Sequence, residues 1–245
     1  IATVTDFRRK DIALGGQGAP LAPAFHEFLF QKRQHGMWIV NIGGISNLTY
    51  LPPNRNDPVL GFDCGPGNAL LDAHFQLHHP DTYYDHDGHW AKSGTPDTLL
   101  LNRMLLDPFF QQAPPKSTGK ERFNLDWVNR HLNALREPPQ PHDLQRTLLE
   151  LTCSSVLQAI KQADRPATTL CVCGGGAKNT FLMSRLKDSV NLTVNTSADY
   201  DMPPEWLEAS AFAWLASRHI DQSPIPLQHI TGATQDAILG ALWPP

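Results

Sequence analysis

Apolar residues recur along this chain with two spacings, one typical of helices and the other of strands. Between residues 20 and 33, apolar side chains return every three or four positions, which predicts an amphipathic helix. Residues 144–163 are apolar over a wider arc, so this longest predicted helix should be buried on most of its sides. Two short apolar runs, 37–42 and 45–51, flank Gly43-Gly44 and predict a β-hairpin.

The remaining segments alternate between strand-like and helix-like patterns. Further predicted strands cover residues 3–7, 59–62, 168–173 and 190–195, and further predicted helices cover residues 69–77, 96–106, 179–187, 204–219 and 231–243. Hairpins and crossover connections are both required, so the predicted fold class is α/β with a mixed sheet. Residues 78–95 and 107–124 hold most of the turn residues and are predicted to be mainly loops.

Composition restricts the classes of protein to which the chain can belong. Its 245 residues, 41% hydrophobic and 18% charged, suffice for one ordinary domain or two small ones. A net charge of −4 and a pI near 6.2 argue against a chain-wide basic surface for nucleic acid. No apolar run approaches the ~18 residues of a membrane-spanning helix, and the four cysteines include no C-x-x-C pair. We therefore expect a soluble, cytoplasmic protein without a membrane partner, a disulfide framework or a four-thiolate zinc site.

Four glycine-rich turns are the strongest chemical signal, and each is predicted to follow a short strand. They lie at residues 14–19, 41–47, 63–68 and 172–179. Glycine lets the backbone approach a ligand closely, and free N–H groups at such turns bind phosphate. None is a familiar motif. Glu121 follows Gly119-Lys120 where a P-loop needs Ser or Thr, and Asn179 breaks the dinucleotide-binding spacing. Together the turns predict a polyphosphate-binding cleft.

Two carboxylates at predicted strand ends are candidates for acid–base chemistry. Asp6 precedes a basic run and the first glycine turn, so it is either a general base or a partner in a surface ion pair. Asp63 has the same position in the third turn, where a helix N-cap is the alternative. The histidine-rich run 78–89 lacks the spacing of a calcium loop or a helical zinc site, and no metal ligands are assigned. Cys171 and Cys173 are predicted to pack as small apolar side chains.

Six blocks of sequence, in order over nearly the whole chain, match the motifs of a known family. The blocks are Thr5-Asp-Phe-Arg8, Gly15-Gly-Gln-Gly-Ala-Pro-Leu21, Asn41-Ile-Gly-Gly-Ile-Ser-Asn47, Phe62-Asp-Cys-Gly-Pro-Gly-Asn68, Lys116-Ser-Thr-Gly-Lys-Glu-Arg-Phe-Asn124 and Cys173-Gly-Gly-Gly-Ala-Lys-Asn179. Together they resemble the anhydro-N-acetylmuramic acid kinases of the sugar kinase, heat-shock 70 and actin superfamily. The resemblance implies a mixed-sheet, ribonuclease H-like lobe of the actin-like ATPase fold, with ATP and Mg²⁺ as cofactors.

The same resemblance assigns roles to individual residues. Asp6 becomes the general base for the water that opens the 1,6-anhydro ring of anhydro-N-acetylmuramic acid, which is phosphorylated at O6 in peptidoglycan recycling. Asn41, Gly43 and Gly44 become a phosphate hairpin, although the wider superfamily usually has Asp in place of Asn41. The residues that would meet the nucleotide are Gly174, Gly175, Gly176 and Asn179, and those that would line the cleft are Arg8, Gly16, Gly18, Asp63, Gly65, Gly67 and Asn68.

The resemblance also predicts how the chain is organised. Residues 1–230 correspond to a C-terminal, nucleotide- and sugar-binding lobe, and residues 231–245 to a terminal helix that docks on an N-terminal lobe absent from this sequence. Since that lobe carries the family's first phosphate hairpin, we expect no kinase turnover from this chain alone. The expected ligands are a small amino sugar and ATP, with homodimerisation left open. Two alternatives remain: a nucleotide-independent sugar hydrolase, which needs a second carboxylate in the cleft, and an inactive nucleotide- or muropeptide-binding module.

Overall fold

The computed structural model describes residues 1–54 and 56–245. Its strands are β1 (Thr3–Thr5), β2 (Met37–Ile42), β3 (Ile45–Leu51), β4 (Leu60–Pro66), β5 (Thr169–Cys173), β6 (Thr193–Thr196) and β7 (Ala241–Trp243). Its helices are α1 (Arg9–Ala13), α2 (Ala22–Leu29), α3 (Asn68–His78), α4 (His89–Ser93), α5 (Thr98–Leu105), α6 (Pro108–Gln111), α7 (Leu125–Leu132), α8 (Pro141–Ala163), α9 (Thr180–Ser189), α10 (Leu207–Ile220) and α11 (Gln228–Thr231). Within this described part of the chain, no helix is long and apolar enough to cross a membrane.

The main sheet contains five strands in the order β4–β3–β2–β5–β6. β3 runs antiparallel to both β2 and β4, whereas β2, β5 and β6 are parallel to one another. Parallel neighbours need a crossover connection. Helices α3 to α8 connect the end of β4 to β5, which lies beside β2, and α9 connects β5 to β6. The predicted α/β class with a mixed sheet is confirmed, and the strand order is that of a ribonuclease H-like sheet.

Both faces of the main sheet are covered, which explains why its central strands are almost entirely apolar. On one face, Val40 of β2 belongs to the core that Leu148 of helix α8 helps to form. On the other face, Ile39 of β2 packs in a cluster with Phe25 of α2 and Leu207 of α10. Successive residues of β2 thus point to opposite faces, and this alternation determines which side chains lie together where the strand ends.

The C-terminal segment differs from its prediction. The terminal helix predicted for residues 231–245 does not form, because α11 ends at Thr231 and Ala241–Trp243 pair antiparallel with β1 as strand β7. Gly232 and Gly240 adopt φ angles of 80° and 95°, a backbone conformation that interrupts a right-handed helix. Pairing with β1, from the opposite end of the sequence, satisfies backbone groups that the helix would have satisfied locally.

Two predictions about the glycine-rich turns also need correction. Residues 14–19 follow helix α1 and not a strand. Strand β4 extends from Leu60 to Pro66, so Asp63 lies inside the strand, and the N-cap position of α3 belongs to Gly67. The predicted strand ends at residue 62, whereas β4 continues to Pro66 because it remains paired with β3 up to that residue.

Candidate functional site

Three polar side chains occupy neighbouring positions on one face of the main sheet. Asn41 of β2 pairs with Asn47 of β3, and Asn47 pairs with Asp63 of β4. Directly paired residues point to the same face of a sheet, so the three side chains form one row, which we call the polar row. Asn41 also pairs with Cys173 of β5, directly before the turn at Gly174. The carboxyl ends of strands in open α/β sheets are the usual place for a ligand.

Two buried polar atoms, one in the polar row and one beside it, have no hydrogen-bond partner among residues 1–54 and 56–245. They are the amide Oδ1 of Asn47 and the hydroxyl Oγ1 of Thr118. Thr118 borders the row because its N–H donates a 2.9 Å hydrogen bond to Oδ2 of Asp63. Since buried polar groups in proteins nearly always have a partner, these two atoms indicate that a polar ligand or bound water belongs here.

Asp63 is the buried carboxylate of the polar row, with 6% of its surface exposed. Burial raises the pKa of Asp63 to about 6. Weaker influences act in the opposite direction, namely hydrogen bonds from Thr118 and Ser117 and the positive charges of Arg8 and Lys116. The backbone N–H of Asp63 also donates to the carbonyl of Lys116 at 3.0 Å, so this loop is attached to β4 at two points. A carboxyl group whose pKa approaches neutrality is characteristic of functional sites.

The hairpin of Gly43 and Gly44 is held in place by the start of helix α3. The N–H groups of Gly67, Asn68 and Ala69 donate to the two glycine carbonyls at distances of 2.7 to 3.1 Å. The N–H groups of Gly43 and Gly44 themselves donate no hydrogen bond within the described chain. The carbonyls are therefore satisfied by the helix, while the N–H groups remain available for an anion.

The turn after β5 approaches β2 so closely that two of its positions require glycine. Gly174 has φ 77° and ψ −175°, and a Cβ at this position would collide with Oδ1 of Asn41 and the carbonyl of Ile42. A Cβ on Gly176 would collide with the side chain of Ile42. Gly175 between them is exposed. The turn therefore lies directly beside the hairpin and the polar row.

A cavity of about 370 Å³ adjoins this turn. Gly175 and Asn179 line it on one side and Asn68 and Asp72 of α3 on another, and residues 84–87 together with α8 form the rest of the wall. The side chain of Asn179 also caps helix α9, because its Oδ1 accepts a hydrogen bond from the N–H of Leu182. The volume lies within the ~300–1,000 Å³ range of small-molecule pockets, and the cavity can hold a ligand the size of a nucleoside.

Arg8 connects the first residues of the chain to the polar row. Its Nη1 donates a 2.6 Å hydrogen bond to the carbonyl of Gly18, and its charge lowers the pKa of Asp63 against the effect of burial. Asp6 has φ 59° and lies 3.3 Å from the guanidinium of Arg9, while its side chain keeps 35% of its surface exposed. The ion pair considered as an alternative role for Asp6 therefore exists, and it leaves the carboxylate accessible to a ligand.

Three of the glycines assigned to the cleft are placed against other protein atoms. A Cβ on Gly16 would collide with the carboxylate of Asp11, and a Cβ on Gly67 would collide with the hairpin backbone. A Cβ on Gly65 would come within 3.1 Å of the side chain of Ser155 on α8. These glycines allow the close packing of the elements that frame the site.

Comparison with known proteins identifies the family of the chain. A family model described as Anhydro-N-acetylmuramic acid kinase matches residues 1–245. A protein of that name from Coxiella burnetii is 48% identical over 244 residues, covering 99% of this chain and 65% of that protein. Another from Pseudomonas syringae pv. tomato is 49% identical over 245 residues, covering 100% of this chain and 66% of that protein. The chain belongs to the anhydro-N-acetylmuramic acid kinase family. It spans about 65% of the length of the curated relatives that it matches.

A search of solved structures gives weaker similarities. One match is the activator of the 2-hydroxyisocaproyl-CoA dehydratase from Clostridium difficile with bound ADPNP. The TM-score is 0.46 and the identity 13%, over 82% of this chain and 67% of that chain. At this level the similarity supports no inference about the function of the anhydro-N-acetylmuramic acid kinase family member described here.

Sequence reasoning misses four residues around the site of this anhydro-N-acetylmuramic acid kinase family member: Asp11, Asn47, Thr118 and Lys120. Asp11 is fully buried and accepts hydrogen bonds from the N–H of Gly18 and from the hydroxyl of Thr231 in α11, so it shapes the first glycine turn. The other three lie inside the blocks that carry the family resemblance, and their place in those blocks is the sequence signal that could have identified them. Asp11 lies between two blocks, and only the folded structure shows its role.

Gly174→Ala is expected to lower the free energy of unfolding by about 2–4 kcal/mol. The backbone of Gly174 occupies a region of φ and ψ that is essentially restricted to glycine, and the new Cβ would collide with backbone and side-chain atoms of β2. Urea unfolding of the natural full-length protein measures the loss. Gly175→Ala is the matched control, because a Cβ there meets only Asn68 Nδ2 at 3.5 Å. Equal stability of the two variants would contradict this interpretation of the turn.

Proposed function

We propose that the natural full-length protein is an ATP-dependent anhydro-N-acetylmuramic acid kinase, with residues 1–230 as its nucleotide- and sugar-binding lobe. The observation that carries the proposal is the meeting of the polar row with the hairpin of Gly43 and Gly44. Free backbone N–H groups, unpartnered buried oxygens and the carboxylate of Asp63 lie together there. This set suits a phosphorylated ligand and its counter-ion. The names of the curated relatives supply the identity of the sugar.

In this proposal the nucleotide extends from the 370 Å³ cavity to the hairpin. The residues assigned to the nucleoside side are Gly174, Gly175, Gly176 and Asn179, and those assigned to the phosphates are Asn41, Gly43 and Gly44. The sugar lies toward Asp6 and Arg8, where the first glycine turn and Asp63 form the remaining wall. Phosphoryl transfer requires little covalent chemistry from the protein, which acts mainly by positioning the reactants and screening their charge.

The reaction begins at the anomeric carbon of the sugar. The oxygen of a water molecule forms a bond to C1 as the bond between C1 and the bridging O6 breaks, and the carboxylate of Asp6 takes a proton from that water. The released O6 then forms a bond to the γ-phosphorus of ATP, and the bond from that phosphorus to the oxygen bridging the β- and γ-phosphates breaks to release ADP. The products are N-acetylmuramic acid 6-phosphate and ADP, and the proton leaves Asp6 for solvent.

The polar row fits Mg²⁺ as the counter-ion of the phosphates. Magnesium in phosphoryl-transfer sites is held by one or two carboxylates together with phosphate oxygens. Asp63 supplies a buried carboxylate, and Asn47 supplies an amide oxygen that has no partner within the described residues. Asp63, Asn47 and Asn41 would therefore hold the ion. When bound, the metal supplies positive charge that screens the transferred phosphoryl group.

We place this reaction in the cytoplasm, where ATP is available, as a step of peptidoglycan recycling. Phosphorylation at O6 adds negative charge to a sugar acid that already carries a carboxylate. The protein would then act in amino sugar metabolism as a transferase.

The test uses the natural full-length protein with ATP, Mg²⁺ and anhydro-N-acetylmuramic acid in water enriched in ¹⁸O. Mass spectrometry is expected to show one ¹⁸O atom in the sugar 6-phosphate, at C1, and none in its phosphate group. Ring opening in the absence of ATP would instead establish a nucleotide-independent hydrolase. Binding of ATP or sugar without turnover would establish an inactive binding module, and either result would overturn the proposal.

A further inference from the structure

Lys120 extends across the hairpin of Gly44. A Cβ built on Gly44 would lie 2.5 Å from Cε and 3.2 Å from Nζ of Lys120, so the lysine occupies the space that the missing side chain leaves open. The loop that leads to Lys120 is attached to β4 at two points, from the N–H of Thr118 to the carboxylate of Asp63 and from the N–H of Asp63 to the carbonyl of Lys116. The ammonium group therefore lies over the hairpin whose N–H groups are free, and the hairpin residue beneath it is a glycine.

The charge of Lys120 is not neutralised by any ion pair in the described part of the chain. No carboxylate there lies within 4 Å of its Nζ, although its positive charge lowers the pKa of Asp72 against the effect of burial. Asp72 lines the 370 Å³ cavity. Lys120 is thus near enough to the cavity to act on a group in its wall, and it remains exposed to solvent and free to accept an anion.

We propose that Lys120 is a phosphate-binding residue that contacts the terminal phosphates of the nucleoside triphosphate, an inference that rests on the proposed kinase function. The free N–H groups of Gly43 and Gly44 bind the phosphate chain from one side, and the ammonium group covers it from the other. Lys120 does not line the cavity assigned to the nucleoside, so we expect it to contact the phosphates alone. The lysine therefore distinguishes a triphosphate from a nucleoside and adds nothing to recognition of the base.

The experiment compares two ligands and three variants by calorimetry on the natural full-length protein. Lys120→Met is expected to weaken ATP binding by about 10- to 100-fold, the usual effect of losing a charged hydrogen bond, and to change adenosine binding by less than about twofold. Lys120→Arg, which keeps the charge, is expected to recover most of the ATP affinity. Lys161→Met, which removes an exposed lysine from helix α8, is the matched control and should change neither affinity.

Each outcome has a distinct meaning. Equal losses for ATP and adenosine would show that Lys120 acts through the structure of the loop, and this would overturn the inference. Unchanged ATP binding in Lys120→Met would overturn it as well. If the unsubstituted protein binds neither ATP nor adenosine, the proposed function itself fails. If that protein binds ATP and Lys120→Met binds it equally well, only the role of the lysine is refuted and the kinase proposal stands.

Discussion

Asp6→Asn is expected to lower kcat of the natural full-length protein by about 10²- to 10⁴-fold, the usual contribution of a general base. Affinity for ATP should not change, because Asp6 is assigned to the sugar side of the site. Asparagine retains the shape of the side chain and tolerates the left-handed backbone at this position, where φ is 59°. The substitution therefore removes the base without disturbing the fold. A coupled assay of ADP release measures kcat, and calorimetry measures ATP binding.

Asp164→Asn is the matched control for this prediction. Asp164 is also an exposed aspartate in the left-handed conformation, with φ 47°, and it lies at the C-terminal end of α8, outside the site. The control should keep normal kcat and normal stability. Normal turnover by Asp6→Asn would exclude Asp6 as the base. A parallel loss of ATP affinity would instead indicate that Asp6 supports the nucleotide side of the site.

Local sequence signals correctly predicted the parts of the fold that depend on neighbouring residues. The hairpin between β2 and β3 has two apolar runs and a Gly-Gly turn, and its strands form at 37–42 and 45–51. The longest predicted helix, residues 144–163, extends from Pro141 to Ala163 in the structure. Its wide apolar arc is buried, as the pattern indicates. In such segments, periodicity and turn chemistry agree with the tertiary packing.

Two of the predictions that are wrong involve pairing between distant segments, and a third concerns the end of a helix. Residues 231–243 have helical periodicity, but β7 forms because β1, from the other end of the sequence, offers an edge for pairing. Helix α2 ends at Leu29, short of the predicted residue 33. Strand β4 continues past its predicted end because β3 pairs with it to Pro66. Neither a partner strand nor a covering layer is visible in a window of ten residues, so local periodicity does not reveal these outcomes.

The arrangement of the candidate site shows the same division. The glycine turns could be identified from the sequence because glycine itself is the signal, and Gly174 has the backbone conformation that requires it. The polar row could not be identified, because it exists only in the register that aligns Asn41, Asn47 and Asp63 across three strands. The position of Lys120 over Gly44 likewise depends on a loop folding back onto the hairpin. Residue types indicated a phosphate site, and strand register determines which side chains form it.

Asp63→Asn is expected to have opposite effects on stability and activity. Burial raises the pKa of Asp63 from an ordinary value of 3.8 to about 6, so the folded protein retains a proton that the unfolded chain releases between these pH values. The raised pKa therefore costs stability as the pH increases through this window. Asparagine carries no charge and can still accept the hydrogen bond from Thr118. The variant should exceed the natural protein in unfolding free energy by less than about 1 kcal/mol near pH 4 and by about 3 kcal/mol at pH 8.

The same variant should lose about 10- to 100-fold in kcat/KM, because the carboxylate proposed to hold Mg²⁺ is replaced by a neutral amide. Urea unfolding between pH 4 and 8 and a coupled kinase assay measure the two effects on the natural full-length protein. Asp81→Asn, which changes an exposed carboxylate outside the site, should alter neither quantity. A stability gap that does not widen with pH would show that burial does not penalise the Asp63 carboxylate. If the variant is more stable and keeps full activity, Asp63 is excluded from the metal site. The natural protein would then retain a buried carboxylate that lowers its stability and has no part in catalysis.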